Sequence, residues 1–122
     1  NIIVLNTNEL KKTKDFFDLV FVDAPCSGTG IWRRDPEFKW KVNDQKLNFF
    51  TNTQYQILNS CTKFIKNGGY LIYVVCSLLE DEGDLIIRKF LYNNLFFSRI
   101  DSNLFHPINA SDGFYYAVLK KN

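Results

Sequence analysis

Two apolar runs of strand length constrain the fold of this 122-residue chain more than any other feature of its sequence. Asp18–Asp23 has the sequence DLVFVD, and Tyr70–Val75 has the sequence YLIYVV. Both runs are nearly continuous in β-branched and aromatic residues, which is the pattern of strands buried on both faces of a sheet. The first run ends in a cluster of turn-forming residues, Ala24–Gly30 (APCSGTG), and the second ends at Cys76. The sequence therefore predicts two core strands, each followed by a cysteine.

Apolar residues with helical spacing occur between these two runs and after the second one. Asp44–Lys66 is predicted to be an amphipathic helix, with Asn43 or Asp44 as its N-cap and with Lys63, Lys66 and Gly68-Gly69 suited to its end. Its apolar residues recur at three- and four-residue steps: Leu47, Phe50, Ile57, Leu58, Cys61, Phe64 and Ile65. A second helix is predicted over Asp81–Tyr92, which opens with three acidic residues, and acidic residues are favourable at a helix N-terminus.

The remaining elements complete an alternating order. Phe96–Ile100 and Phe114–Leu119 are predicted as two closing strands, Ile2–Leu5 is a short apolar run, and Asn6–Lys14 is a loop or weak helix. Strands that alternate with helices indicate an α/β sheet of mainly parallel order. No repeat or linker divides the chain, so we expect one domain or one part of a domain.

Composition excludes some classes of protein. Aromatic residues make up 16% of the chain, which argues against disorder, and polar residues interrupt every apolar run well before the length of a membrane span. The net charge of +2 does not by itself indicate a nucleic-acid partner. Three cysteines without an export signal favour free thiols in a reducing, cytoplasmic compartment. Because the chain starts at Asn1 and contains no Met, we expect it to begin within a longer protein.

The carboxyl ends of the two core strands are the expected ligand edge of such a sheet. If the strands are neighbours, Asp23, Cys26 and Cys76 converge on one crevice. Gly28 and Gly30 indicate either a sharp turn or a backbone that approaches a ligand closely.

Four sequence blocks resemble a known family. They are DAPCSGTG at Asp23–Gly30, RRDPEFKW at Arg33–Trp40, YVVCSLLEDEGD at Tyr73–Asp84 and DGFYYAVLKK at Asp112–Lys121. Together they resemble the RNA 5-methylcytosine methyltransferases of the Nop/Sun family, and within it the bacterial ribosomal RNA small-subunit methyltransferase B group. The resemblance implies the C-terminal portion of a Rossmann-like, S-adenosyl-L-methionine-dependent methyltransferase domain, with a mainly parallel sheet and a closing antiparallel strand.

The resemblance also implies roles for three residues. Cys76 matches the nucleophile that adds to carbon 6 of cytosine, because carbon 5 alone is a poor nucleophile toward a methyl group. Cys26 matches the residue linked to release of the product. Asp23 matches the acid that holds the base and stabilises the adduct, and such groups are expected within hydrogen-bond reach of one another.

The implied partners are RNA, with ribosomal RNA the expected substrate, and S-adenosyl-L-methionine. The residues expected at the substrate are Pro25, Ser27, Gly28, Arg33, Arg34 and Lys39, and those expected at the cofactor are Asn8, Asp23 and Pro25. The basic residues are interleaved with Trp32, Phe38 and Trp40, a pattern suited to phosphates and stacked bases but also to a solvated loop.

The chain departs from the family in what it lacks. The glycine-rich cofactor loop and the first strands of the domain are absent from residues 1–122, and Asn8 stands where an Asp is usual. Val75 and Gly83 replace a common Thr and Asn. We therefore expect a partial catalytic domain that is inactive alone, and an exposed, aggregation-prone edge at Asp18–Asp23.

Three alternatives remain open at this point. The roles of Cys26 and Cys76 could be reversed, the chain could be a non-catalytic RNA-binding remnant, or it could be an amino-methyltransferase, although chemistry on an exocyclic amine needs no thiolate. Cys61 is interpreted as a packed helix residue and His106 as a solvated loop residue, and no membrane or metal partner is expected.

Overall fold

The structure, a computed structural model, describes residues 14–108 and 111–122, without the side chain of residue 41. The predicted run Ile2–Leu5, nearly all of the Asn6–Lys14 segment and the cofactor candidate Asn8 lie outside the described residues.

Four strands and three α-helices make up the described chain. The strands are β1 (Phe17–Asp23), β2 (Ile65–Val75), β3 (Phe97–Phe105) and β4 (Phe114–Lys121). The helices are α1 (Phe38–Lys41), α2 (Asp44–Cys61) and α3 (Asp84–Asn93), with 3₁₀ turns at Thr29–Ile31, Thr62–Phe64 and Glu80–Glu82. Each predicted strand and helix from residue 14 onward is present.

The four strands form one sheet in the order β1-β2-β4-β3. β1 is parallel to β2, whereas β4 is antiparallel to both of its neighbours. Three strands therefore run in the same direction and β4 is inserted between two of them in the opposite direction. This arrangement confirms the predicted α/β fold with a mainly parallel sheet and a closing antiparallel strand.

One face of the sheet carries the core. Its strand residues are Val22, Leu71, Tyr73, Val75, Tyr115, Ala117 and Leu119, and its helix residues include Leu58, Ile86, Ile87 and Phe90. Burying these side chains against α2 and α3 is the main source of stability of the fold.

The prediction that β1 is buried on both faces is wrong. On the face of the sheet opposite the helices, Leu19 is 50% exposed and Phe21 is 60% exposed. Both side chains alternate with Val20 and Val22, which point toward the helices. Within residues 14–108 and 111–122, β2 is the strand that pairs with β1, so β1 forms an edge of the described sheet, as the sequence predicted.

The predicted helix Asp44–Lys66 is too long at its C-terminal end. The α-helix ends at Cys61, a 3₁₀ turn follows, and Ile65 already pairs with Phe17 as the first residue of β2. Ile65 is fully buried in β2. Its spacing in the sequence fits a helix, but its apolar side chain is explained by core packing in a strand. The start of the helix is confirmed, because the Asn43 side chain accepts a hydrogen bond of 2.9 Å from the Lys46 amide.

Two other elements also differ from the prediction in their boundaries. The acidic segment predicted as the start of a helix forms the 3₁₀ turn Glu80–Glu82, and the α-helix begins at Asp84. β3 begins one residue later than predicted and extends five residues further, to Phe105. This extension is explained by pairing with β4, which continues to the Phe105–Phe114 pair.

Candidate active site

The loops that follow β1 and β2 meet at the carboxyl edge of the sheet. Asp23 is in register with Val74, and the next amide, that of Ala24, donates a 3.1 Å hydrogen bond to the Val74 carbonyl. Beyond the strands, the Gly30 amide donates a 3.0 Å hydrogen bond to the Cys76 carbonyl. The two cysteine-bearing loops are therefore directly hydrogen-bonded to each other, as the sequence predicted for neighbouring strands.

Two glycines shape the first of these loops. Gly28 has φ 69°, in the left-handed region that favours glycine. A Cβ at Gly30 would lie 1.9 Å from the Gly113 carbonyl oxygen, and the Gly113 amide donates a 2.9 Å hydrogen bond to the Gly30 carbonyl. Gly28 thus provides the sharp turn, and Gly30 provides the close approach, which is to the protein's own backbone.

Cys26 is partly buried beside the backbone of the second loop. Burial raises the pKa of the Cys26 thiol to about 11, and the negative charge of Glu82 acts in the same direction. The backbone groups of Gly28 and Cys76 hydrogen-bond the sulfur and oppose this shift. At neutral pH Cys26 is therefore a protonated thiol in the free site.

Cys76 lies among charged groups. Burial raises the pKa of the Cys76 thiol, the negative charges of Asp23 and Asp112 raise it further, and the positive charge of Arg34 opposes them. Asp23 itself is exposed at the end of β1. The structure thus brings together Asp23, Cys26 and Cys76, the three residues for which catalytic roles were predicted.

Glu82 joins the two loops and was missed at the sequence level. It is fully buried, and its carboxylate accepts hydrogen bonds from the Ser27 amide (2.8 Å), the Ser27 hydroxyl (2.5 Å), the Ser77 hydroxyl (2.5 Å) and the Gln54 amide group (3.2 Å). In the sequence Glu82 is one of several acids in an apparently exposed turn, and only its tertiary surroundings distinguish it from Glu80 and Asp81.

Ser27 and Gly28, two of the residues expected at the substrate, are buried in the loop after β1. Ser27 is 1% exposed and uses both its amide and its hydroxyl on Glu82, so its side chain faces the protein interior and holds the loop. Gly28 is also buried. Pro25, in contrast, is exposed, and its carbonyl accepts a 2.9 Å hydrogen bond from the side chain of Gln54.

The basic and aromatic segment flanks the same edge. Arg34 contacts both carboxylate oxygens of Asp112, at 3.0 and 2.6 Å, and Arg33 lies 3.8 Å from the same carboxylate. Trp40, on α1, is 84% exposed, and the Lys39 ammonium lies 5.7 Å from the centre of its ring. Asp112 therefore connects this segment to the loop before β4. The aromatic ring of Trp40 lies at the surface.

The remaining candidate residues lie where the sequence placed them. Cys61 is on α2 and packs against the core, and His106 is exposed in the loop after β3. The described residues contain no group of three or more His, Cys, Asp or Glu side chains suited to a metal ion. None of the helices described here is long and apolar enough to span a membrane.

Comparison with known proteins agrees with this fold and site. Residues 1–120 match the family model described as 16S rRNA methyltransferase RsmB/F. The sheet with its inserted antiparallel strand is that of a Rossmann-like methyltransferase domain. The chain belongs to the RsmB/F family of methyltransferases, which confirms the resemblance on which the residue roles were based.

Individual relatives support the same assignment. The chain is 37% identical, over 124 residues, to ribosomal RNA small subunit methyltransferase B of Pasteurella multocida, and the match covers 93% of this chain and 28% of that protein. The crystal structure of PH0851 matches with a TM-score of 0.85 and 29% identity, over 88% of this chain and 27% of that one. The crystal structure of NSun6 from Pyrococcus horikoshii with SFG matches with a TM-score of 0.79 at 18% identity, over 99% of this chain and 34% of that one, which shows a shared fold alone. The chain thus spans about a third or less of each of these relatives.

Proposed function

We propose that the protein containing this chain is an S-adenosyl-L-methionine-dependent RNA cytosine-5 methyltransferase, with ribosomal RNA as its substrate, that acts through a covalent cysteine–cytosine adduct. The observation that carries this proposal is the meeting of two cysteine loops at one sheet edge, joined by the hydrogen bond from Gly30 to Cys76. Methylation of an exocyclic amine would require no such pair of thiols.

The chemistry assigns different tasks to the two thiols. The Cys76 sulfur, as thiolate, forms a bond to carbon 6 of cytosine, and the electron pair displaced from the ring makes carbon 5 nucleophilic. After carbon 5 has gained its methyl group, the proton on carbon 5 leaves and the sulfur–carbon 6 bond breaks, which restores the ring and the free thiolate. We assign this release step to Cys26, which lies against the Cys76 backbone. Cys26 first loses its own thiol proton to solvent, and the resulting thiolate then accepts the proton from carbon 5.

The positions of the two thiols favour this division of roles over the reverse. Burial raises the pKa of Cys26 to about 11, so a Cys26 nucleophile would start from a protonated, partly buried thiol. The pKa of Cys76 is also raised, by burial and by the negative charges of Asp23 and Asp112, and the positive charge of Arg34 opposes this shift. Cys76 is thus the thiol whose charge interacts with Asp23, the group proposed to hold the base. Asp23 is exposed, which suits a group that hydrogen-bonds the ring nitrogen and amino group of a substrate base.

The described residues fit one part of an S-adenosyl-L-methionine site. The cofactor supplies an electrophilic methyl group when bound. The exposed carboxylate of Asp23 suits its cationic groups, and Pro25 presents an exposed ring at the same edge, whereas Asn8 lies outside the described residues. The structure of NSun6 from Pyrococcus horikoshii, a match in fold, contains SFG, an S-adenosylmethionine analogue.

Two further observations support a partial catalytic domain. The chain covers 28% of its Pasteurella multocida relative, and one face of the sheet carries the exposed apolar residues Leu19 and Phe21 on β1. We therefore propose that residues 1–122 form the C-terminal part of a larger methyltransferase domain and do not methylate RNA alone.

The test is a methylation assay with the complete gene product, labelled S-adenosylmethionine and a small-subunit ribosomal RNA transcript. We expect 5-methylcytidine in the digested RNA from the wild type and from Cys61→Ala, the control cysteine variant, and none from Cys76→Ala. Methylation on an exocyclic amine, or full activity of Cys76→Ala, would refute the proposed reaction.

A further inference from the structure

We propose that Glu82 is the positioning residue that sets the two catalytic cysteines relative to each other. This inference rests on the proposed function of Cys26 and Cys76. Glu82 touches neither the proposed substrate edge nor solvent, since it is fully buried.

The Glu82 carboxylate holds the residue that follows each of the two cysteines. Ser27 directly follows Cys26 and Ser77 directly follows Cys76, and both serine hydroxyls donate to the same Glu82 oxygen, Oε2, each at 2.5 Å. The Ser27 amide donates to the other oxygen, Oε1, at 2.8 Å. One side chain therefore joins the residues that follow both thiols, although the serines are 50 positions apart in sequence.

The chemistry of the partners matches a carboxylate. The groups that face the Glu82 oxygens are all donors, namely one backbone amide, two hydroxyls and the Gln54 amide group. An ionised carboxylate only accepts hydrogen bonds and offers about four acceptor positions. A glutamine of the same shape would place its own NH₂ group against one of these donors.

Further hydrogen bonds connect the Leu78 amide, in the loop after β2, to the Glu82 carboxylate. The Leu78 amide donates to the Thr29 hydroxyl at 2.7 Å, and the Thr29 and Ser77 hydroxyls are 3.1 Å apart. Because Ser77 donates its own hydrogen to Glu82, Thr29 is the donor in that pair, and the hydrogen bonds run in one direction toward the carboxylate. Leu78 is thereby connected to Glu82 through two hydroxyl groups.

Glu82 is itself fixed to the sheet. The Tyr73 hydroxyl donates a 2.7 Å hydrogen bond to the Glu82 carbonyl, and Tyr73 is a fully buried residue of β2. Gln54, on α2, contacts both Glu82 and the carbonyl of Pro25, immediately before Cys26. Glu82 is thus held by β2 through its backbone carbonyl and by α2 through its carboxylate, and both are rigid elements that support the positions of the two loops.

The matched variants are Glu82→Gln and Glu80→Gln, made in the complete gene product. Glu80 is two residues away in the same turn and is exposed. Two measurements apply: hydrogen exchange of the Ser27 and Leu78 amides, and single-turnover rates of adduct formation and of methylated product release on the ribosomal RNA transcript. RNA affinity is measured in parallel.

We expect Glu82→Gln to speed exchange at both amides and to slow both chemical steps by at least about tenfold, with RNA affinity unchanged. Glu80→Gln should leave the exchange and both rates at wild-type values. Faster exchange at Ser27 alone, or slow chemistry explained entirely by weaker RNA binding, would overturn the assignment.

A second variant covers loss of folding. If Glu82→Gln does not fold, Ser77→Ala removes one connection and keeps the carboxylate, and it should still speed exchange at Leu78 and slow both steps. Wild-type exchange and rates in Ser77→Ala would overturn the proposal. The exchange measurement needs no catalysis, so it distinguishes failure of this inference from failure of the proposed methyltransferase reaction.

Discussion

Individual residues at the candidate site act through close contacts and through charge. Glu82 could not be identified from the sequence, because its burial depends on Ser27 and Gln54, which lie far from it along the chain. The cysteines and Asp23 could be identified, because each lies at or shortly after the carboxyl end of a strand and falls within a family block. Local pattern thus indicates the candidate catalytic residues, whereas the residues that support them are determined by tertiary packing.

Arg34 and Asp112 should shift the reactivity of Cys76 in opposite directions. Arg34→Ala removes a charge that lowers the pKa of Cys76 and leaves Asp112 with Arg33 as its remaining arginine partner, at 3.8 Å, so the pKa rises and less thiolate is present at about pH 8. Asp112→Asn removes a charge that raises the pKa, so the thiolate fraction increases.

The measurement is the rate of iodoacetamide alkylation of Cys76, read by peptide mass spectrometry in the complete gene product. We expect slower alkylation in Arg34→Ala and faster alkylation in Asp112→Asn. Arg88→Ala, which breaks an ion pair with Asp84 on α3, is the control and should have no effect. A shift of the same sign in both site variants would contradict the electrostatic account.

Gly30 should tolerate no side chain. Its Cβ would lie 1.9 Å from the Gly113 carbonyl oxygen, so Gly30→Ala must separate the loop after β1 from the loop before β4, at a cost of about 3 kcal/mol. Gly68→Ala is the matched comparison, since its Cβ meets nothing within 4 Å and only its φ of 81° opposes the change, at about 1 to 2 kcal/mol. Denaturant unfolding of the complete gene product measures both losses, and an equal loss would contradict the contact argument.

At the scale of elements, periodicity predicted which segments are strands and helices, but not where they end. The end of α2 is determined by β1, because Ile65 leaves the helical spacing to pair with Phe17. The length of β3 is likewise determined by its partner, since pairing with β4 continues to Phe105. Such boundaries depend on which strands meet, and this information is not contained in any local run of residues.

The N-cap of α2 provides a test at this scale. Asn43→Ala removes the acceptor for the Lys46 amide and should cost about 1 kcal/mol of stability. Asn52→Ala is the control, because this exposed residue lies inside the helix, where alanine is the more favourable residue. Fraying shows as faster hydrogen exchange in the first turn of α2, and unchanged exchange there in Asn43→Ala would contradict the capping role.

At the scale of the whole molecule, the uncovered sheet face is the dominant feature. Leu19 and Phe21 on β1 expose half or more of their surface at the edge of the described sheet. Apolar side chains at an unpaired edge favour association between chains. We therefore expect residues 1–122 alone to be marginally stable or to aggregate, and to bind no S-adenosylmethionine.

This prediction is checked by light scattering, thermal melting and isothermal titration of the isolated chain. Leu19→Lys together with Phe21→Lys should reduce scattering, whereas Tyr92→Lys, at an exposed position on α3, should not. A cooperative melt of a monomeric wild-type chain would contradict the prediction.

The central claim is that Cys76 forms the adduct and Cys26 resolves it. The direct measurement is denaturing electrophoresis of the complete gene product after reaction with the ribosomal RNA transcript and S-adenosylmethionine. We predict that Cys26→Ala accumulates a covalent protein–RNA complex and that Cys76→Ala forms none. Accumulation in Cys76→Ala and loss of the complex in Cys26→Ala would contradict the account and reverse the roles of the two thiols.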